Sequence, residues 1–514
     1  MVSIIPKIPN APPSSQRKGI TMQPRVRELL TEIGSGKMSD AAYDTAWVAR
    51  LGEIDWELST RALAWLGQHQ LSDGSWGNEY PLYYHDRVIS TLAAMIALTY
   101  RGRRRQDRVR IERGLLALEK ITDNVSLQLQ SDPNGATVGF EMITPTLVAE
   151  AERLGLIKQR GDRILSELSR LRKIKMSKLE GRKIDRTIST AFSAEMAGSD
   201  HISLLDVDNL QGANGSVGNS PAATVHFSIF VRKGDPRGLH YLRSVVGENG
   251  GTPFAAPFDI FERSWILWNL ALTGTDDKEL LELFTPHLDY LYKHWDRQSG
   301  VGFSAVSTSK DGDDTSLTFD ILRRFNYGVE LETVLHYEEE EYFRCYDLEA
   351  NSSITANVHV LGALKQAGAA PDHPAVQKII KFLMANRRDG HYWLDKWHTS
   401  PFYPTAHIVI AAHDYDHSMC RDAVEWILER QRPSGGWGSF GVSTAEETAY
   451  CLQALNVWRT HGGAVSEDRI QRAASWLEEH SSPPYPYLWI GKVLYCPEHV
   501  VTSSILSALM LSRK

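Results

Sequence analysis

A glycine-rich turn recurs where helical stretches end, and that recurrence narrows the possible folds to a few. It reads QLSDGSWG at 70–77, RRDGHYW at 387–393 and QRPSGGWG at 431–438. A weaker copy, LQGANGSVG at 210–218, carries Val217 where the tryptophan stands elsewhere. Glycine supplies the turn, and the aromatic side chain covers the adjoining helix ends. Between the turns, apolar residues recur at spacings of three and four, as in 86–99, 318–325, 353–365 and 445–457, while strand-like alternation is scarce. Units of this kind cannot bury their apolar faces alone and must stack side by side. The pattern predicts an all-α fold of helical-hairpin barrels, and 514 residues leave room for two.

Charge and composition exclude several functions. A formal net charge of −7 argues against a nucleic-acid partner, which would require a basic face. No apolar run reaches the ~20 residues that a membrane-spanning helix needs. Residues 1–19, rich in Pro and Ser, lack the apolar core of a signal peptide and read as a flexible tail. Cys345, Cys420, Cys451 and Cys496 lie far apart without CxxC spacing, so reduced core cysteines in a cytoplasmic protein are expected.

Negative charge is crowded in one place. KDGDDTSLTF (310–319) brings Asp311, Asp313 and Asp314 together directly ahead of an apolar helical pattern. On the residues alone three readings stand: a metal site, a helix N-terminus capped by aspartate, or an acid that keeps its proton. Burial and adjacent like charges oppose ionisation of one carboxyl, whereas the helix dipole favours the anion. In a closed cavity the first two effects are expected to win.

The Gln-headed Gly/Trp turn together with the Asp-Xaa-Asp-Asp element resembles the class II terpene cyclases, over about residues 38–511. SDAAYDTAWVARL (39–51) is similar to a signature of that family. VGFEMITPTL, NGSVGNSPAAT, SSITANVHVLGAL, DKWHTSPFYPTAH, AEETAYCLQAL and LWIGKVLYC then follow in the family's order. The most similar group is the bacterial halimadienyl (tuberculosinyl) and kolavenyl diphosphate synthases. The resemblance implies two α-barrel domains in a βγ arrangement with the active site between them. The β domain would comprise residues 20–55 and 276–514, with a γ domain of residues 56–275 inserted. It implies an intramolecular lyase or isomerase that protonates an alkene of a small prenyl diphosphate and leaves the diphosphate attached. Neither Asp276–Asp277 nor Asp313–Asp314 has an aspartate three residues on, so the magnesium motif of class I terpene synthases is absent.

Carried onto this sequence, the family's roles make Asp313 the general acid. Asp311 and Asp314 would tune and reload it, and Asn357 would hold it by a hydrogen bond. Lys396 falls where related cyclases contact the diphosphate, and Lys175 or Lys178 in the basic stretch 170–183 is a second candidate. Mg²⁺ is the expected cofactor, and of the acidic element many relatives carry for it only Asp132 remains before Glu141. Plant ent-copalyl enzymes position a basic water with a His/Asn pair, and these positions fall on Ala194 and Phe254. Both departures remove polarity, so the cation is expected to persist, sheltered by aromatic faces worth ~0.5–2 kcal/mol each, and to rearrange. The expected reaction converts geranylgeranyl diphosphate to a halimadienyl or clerodienyl/kolavenyl diphosphate.

Other readings stay open at this level. Farnesyl diphosphate would give a drimenyl product by the same chemistry, and an early base would give copalyl diphosphate. A prenyl-binding helical scaffold would need no acid. Triterpene cyclases of the squalene–hopene type share the acid motif, yet are usually longer and carry a membrane-inserting segment. His359 and His407 lie on apolar helical patterns and read as hydrogen-bonded core residues. The expected partner is a downstream class I synthase or phosphatase that acts on the product.

Overall fold

The structure is a computed structural model that describes residues 22–514 except 103, 124–135, 158–160, 180, 275–277 and 350. The tail expected over 1–19, Asp132 and the Asp276–Asp277 pair lie outside the described residues. The first half of the chain holds α1 (Met22–Glu32), α2 (Ala42–Ala49), α3 (Trp56–Gln68), α4 (Tyr84–Arg101) and α5 (Arg105–Asp123). It continues with α6 (Phe140–Arg153), α7 (Gly161–Lys178), a 3₁₀ segment (Ser189–Ala197), α8 (Pro221–His226) and α9 (Pro236–Val245). The second half holds α10 (Asp259–Ala271), α11 (Lys278–Lys293), α12 (Gly312–Arg324), α13 (Glu332–Leu335), α14 (Ile354–Gln366) and α15 (Pro374–Ala385). It ends with α16 (Phe402–Ala412), α17 (His417–Glu429), α18 (Ala445–Thr460), α19 (Glu467–Glu479) and α20 (Glu498–Leu511). Between α19 and α20, β1 (Trp489–Ile490) and β2 (Leu494–Tyr495) form an antiparallel hairpin.

Each half closes on itself. α10, α12, α14, α16, α18 and α20 pack each on the next, and α20 returns to α10. α11, α13, α15, α17 and α19 brace this ring from outside, and α1 completes the outer layer between α11 and α20. The second ring runs through α2, α4, α6, the 3₁₀ segment and α8 back to α2, with α3, α5, α7 and α9 outside. Residues 42–49, expected with the β domain, therefore belong to the other barrel. Every side chain of α2 is buried, because an inner helix is touched on all sides and cannot keep a polar face.

The repeated turns work as the sequence predicts. The indole N–H of Trp76, Trp393 and Trp437 donates to the carbonyl ten residues earlier, at 2.8, 2.7 and 2.7 Å. Gln70 and Gln431 each donate to the turn's glycine carbonyl and to a carbonyl of the next outer helix. Gln211 keeps the first of these bonds although Val217 replaces the tryptophan. A further copy, DRQSGVGF at 296–303, lacks the tryptophan and escapes the pattern. There Val301 N–H donates to Thr315 Oγ1 at 3.0 Å, just as Trp437 N–H donates to Thr448 Oγ1, and so seats α12. Gly435 has φ +102°, and a Cβ there would lie 2.5 Å from the Arg472 carbonyl oxygen. Gly435→Ala is expected to cost about 1–2 kcal/mol, seen as a melting point several degrees lower.

The hairpin crosses from one barrel to the other. Gly491 O accepts from Val138 N–H at 2.8 Å. The fully buried Lys492 places Nζ 2.6 Å from both Glu195 Oε1 and Ser220 Oγ.

Candidate active site

The acidic cluster is built by the start of α12. Asp311 is the N-cap, its Oδ1 accepting from Asp314 N–H at 2.7 Å, so capping falls to Asp311 and not to its two neighbours. Gly312 N–H donates to Cys345 O at 2.8 Å. A Cβ at 312 would lie 2.5 Å from Arg344 O, which explains the glycine inside the motif. All three carboxylates are buried. Burial, then the charges of Asp311 and Asp313, pushes Asp314 well above the usual carboxylate range. Burial also lifts Asp311 to about 7, opposed by the Asp314 N–H and aided by the charge of Asp313.

This has a consequence for stability. A carboxyl with a raised folded pKa holds its proton longer in the folded than in the unfolded chain. Its contribution is full below the unfolded value near 4 and lost as pH rises through about 7. Asp311→Asn keeps an effective cap and removes that loss. The variant is expected to melt higher than the parent at pH 8, with the gap narrowing toward pH 5, in parallel thermal denaturation.

Asp313 has a partner the sequence reading did not assign. Its Oδ1 lies 2.5 Å from His359 Nδ1. Among the described residues its Oδ2 makes no hydrogen bond, and the side chain, 12% exposed, lines a cavity. His359 Nε2 is 3.1 Å from Nδ1 of His407, which stacks on Trp268 with ring centres 4.8 Å apart. Burial first, then His359 and His398, hold the His407 imidazole well below its usual range, so it is neutral. The expected bond from Asn357 to Asp313 is not formed. Asn357 Oδ1 accepts from Phe343 N–H at 2.8 Å, and Nδ2 donates to Phe343 O at 3.0 Å and Ser353 O at 2.8 Å. Residues two apart on a helix point about 200° apart, so Asn357 and His359 cannot share one partner. Asn357 instead fixes the 343–345 loop that clamps Gly312.

The cavity, about 290 Å³, lies between the barrels. One barrel contributes Glu141 and residues 188–193, the other Phe258, Phe261, Trp265, Phe303 and the acid cluster, and the hairpin adds Trp489 and Tyr495. These aromatics form a continuous wall. Phe261 stacks on Trp265 at 4.0 Å and meets Phe258 at 4.5 Å, and Phe254 meets Tyr495 at 4.7 Å. Phe254 lines the cavity as expected, but Ala194 does not: it is buried elsewhere, and the preceding Ser193 faces the cavity.

Cations gather at a polar stretch of the lining. Lys396 is there, paired with Glu349 and donating to Asn351 O at 2.7 Å. Burial alone would lower its pKa, but Glu349 raises it above the usual lysine value. Lys178 is not in the lining; it donates to the Glu349 carbonyl. Lys175, one turn earlier, lines the cavity and pairs with Glu141. Arg186 also lines it, and among the described residues its guanidinium has no carboxylate partner.

Residues 346–451 match the family described as squalene-hopene cyclase C-terminal domain. A type B diterpene cyclase of Mycobacterium tuberculosis is 49% identical, over 94% of this chain and 98% of that one. The chain belongs to the class II diterpene cyclases. A (+)-kolavenyl diphosphate synthase of Herpetosiphon aurantiacus is 31% identical over 94% of this cyclase and 96% of its own length. Among solved structures, ent-copalyl diphosphate synthase from Streptomyces platensis superposes with a TM-score of 0.79 at 26% identity, covering 96% of this cyclase and all of that chain. Among the described residues of the cyclase, no helix is long and apolar enough to cross a membrane.

Proposed function

We propose that the cyclase binds geranylgeranyl diphosphate with its diphosphate among Lys175, Arg186 and Lys396 and its terminal alkene against Asp313. The observation that carries this reading is the geometry of Asp313: one oxygen is held by His359, and the side chain lines an aromatic-walled cavity. With His359 Nδ1–H donating to Oδ1, the proton of Asp313 resides on Oδ2. Transfer breaks that O–H bond, forms a C–H bond on the alkene and leaves a tertiary cation opposite a carboxylate that His359 continues to hold. Neighbouring alkenes then attack in turn and close two rings, and the final carbocation loses a proton from an adjacent carbon to re-form a double bond. The product is therefore an isomer of the substrate, with the carbon–oxygen bond to the diphosphate intact. Burial and its neighbours oppose ionisation of Asp314, which limits the charge beside the new Asp313 anion.

Mg²⁺ prefers oxygen ligands, and Glu141, Asp347 and Glu349 bring carboxylates to the polar stretch of the cavity. Each is already paired, Glu141 with Lys175, Glu349 with Lys396 and Asp347 with Arg344. Among the described residues the three do not converge as a metal-ligand group, so they do not fit the ion as placed and no step is routed through it. The apolar Phe254 beside Tyr495 favours a long-lived cation and a rearranged halimadienyl or kolavenyl skeleton, in keeping with the kolavenyl synthase among the relatives. Because the product keeps its diphosphate, it suits a class I synthase or a phosphatase as the next enzyme.

The test is incubation of purified protein with geranylgeranyl or farnesyl diphosphate and Mg²⁺, followed by dephosphorylation and mass spectrometry. A rearranged bicyclic C20 alcohol is the expected product, and turnover of the C15 substrate alone would overturn the reading. Phe254→Asn combined with Ser193→His is expected to redirect most of the product to unrearranged or hydroxylated bicycles. An unchanged product profile would remove Phe254 from the control of rearrangement.

A further inference from the structure

A second cluster of ligating side chains lies at the other ends of the inner helices. His413 follows the last turn of α16 and His461 the last turn of α18, with ring centres 4.0 Å apart. Together with Asp414, they offer one ligand atom each, all within 4.8 Å of one another. Both imidazoles are oriented by their own backbone. His413 Nδ1 faces Val409 O at 3.2 Å and Ile410 O at 3.0 Å, and His461 Nδ1 faces Val457 O at 2.9 Å and Thr460 Oγ1 at 3.3 Å. A carbonyl can only accept, so each Nδ1 carries the hydrogen and each Nε2 keeps its lone pair. Backbone carbonyls fix the tautomer of metal-bound histidines in this way. The helix C-termini add partial negative charge.

A cation already occupies this place. Lys365 Nζ lies 2.7 Å from Asp414 Oδ2 and 3.2 Å from His413 Nε2, while Asp414 Oδ1 is 3.3 Å from the same nitrogen. We infer that His413, Asp414 and His461 form a binding site for a borderline divalent transition metal such as Zn²⁺, with Lys365 as a built-in competitor that swings out when the metal enters. Two imidazoles and one carboxylate suit Zn²⁺, Co²⁺ or Ni²⁺ better than Mg²⁺. His461 and Asp414 are exposed, so their side chains can rotate to close the shell, with water in the fourth position. The bound ion would tie α16 to α18 away from the acid cluster, so the site is independent of the proposed catalytic reading.

The experiment is calorimetric titration of the tag-free, chelator-treated protein with ZnCl₂, with Co²⁺ absorption as a second readout. One equivalent is expected to bind and to raise the melting temperature. His461→Ala, a change at an exposed side chain, should weaken binding at least about tenfold and abolish the melting shift. Lys365→Met should tighten it severalfold by removing the competing ammonium. Absence of Zn²⁺ binding, equal affinity in His461→Ala, or weaker binding in Lys365→Met would each overturn the site.

Discussion

Asp313→Asn should bind substrate and leave it uncyclised. The amide has nearly the shape of the acid and still accepts from His359, but it has no proton acidic enough for an alkene. Positioned general acids are worth about 10²–10⁴-fold in rate. The proposed reaction starts with this proton, so a loss of at least about 10³-fold in single-turnover product formation is expected. Calorimetry with the unreacted substrate should show binding close to that of the parent. Turnover near the parental rate would move the acid role to another residue of the cluster, with Asp314 first in line.

The second large effect separates His359 from Asn357. His359→Ala leaves the carboxylate formed at Asp313 without its hydrogen bond in a water-poor site. It is expected to lower kcat by about 10²-fold with little change in KM, as for loss of one oriented donor to a developing anion. His359→Gln, which can still donate, should recover part of the rate, and the pH profile should change with the imidazole gone. Asn357→Ala should act through stability instead. It removes three buried hydrogen bonds and strands Phe343's backbone, at a cost of about 2–4 kcal/mol. The acid cluster would then loosen only through the 343–345 loop. Should Asn357→Ala lose rate as steeply as His359→Ala without losing stability, the division of roles drawn from the geometry would fail.

The fold was legible because its punctuation is chemical. Gln70, Trp76, Gln431 and Trp437 must meet particular carbonyls, so the turns survive as a visible pattern. The copy at 296–303 was hidden because its contact runs through backbone and the Thr315 hydroxyl, which leave no aromatic trace. Placing α2 required knowing which ring needed another inner helix, and periodicity along one helix carries no such information. At the site, the three aspartates and Phe254 could be read directly. Which polar residue of α14 faces Asp313 depends on rotation about the helix axis, and apolar neighbours on both sides of Asn357 and His359 concealed it. Ser193 was missed in the same way, since a kinked 3₁₀ segment sets no reliable phase. Lys175 and Lys178 share a helical face, so only the position of the Glu349 loop could tell them apart.

The hairpin bearing Lys492 bears on how such enzymes can be recombined. Its ammonium belongs to one barrel by sequence, whereas the Glu195 carboxylate that neutralises it and the Ser220 hydroxyl that accepts from it belong to the other. Stranding either charge in the interior costs about 3–5 kcal/mol. A chimera that joins this β domain to a relative's γ domain therefore inherits a folding defect unless the lysine and its glutamate travel as a matched set. Shuffling experiments that cut at the barrel boundary would select for that pairing before any product is made.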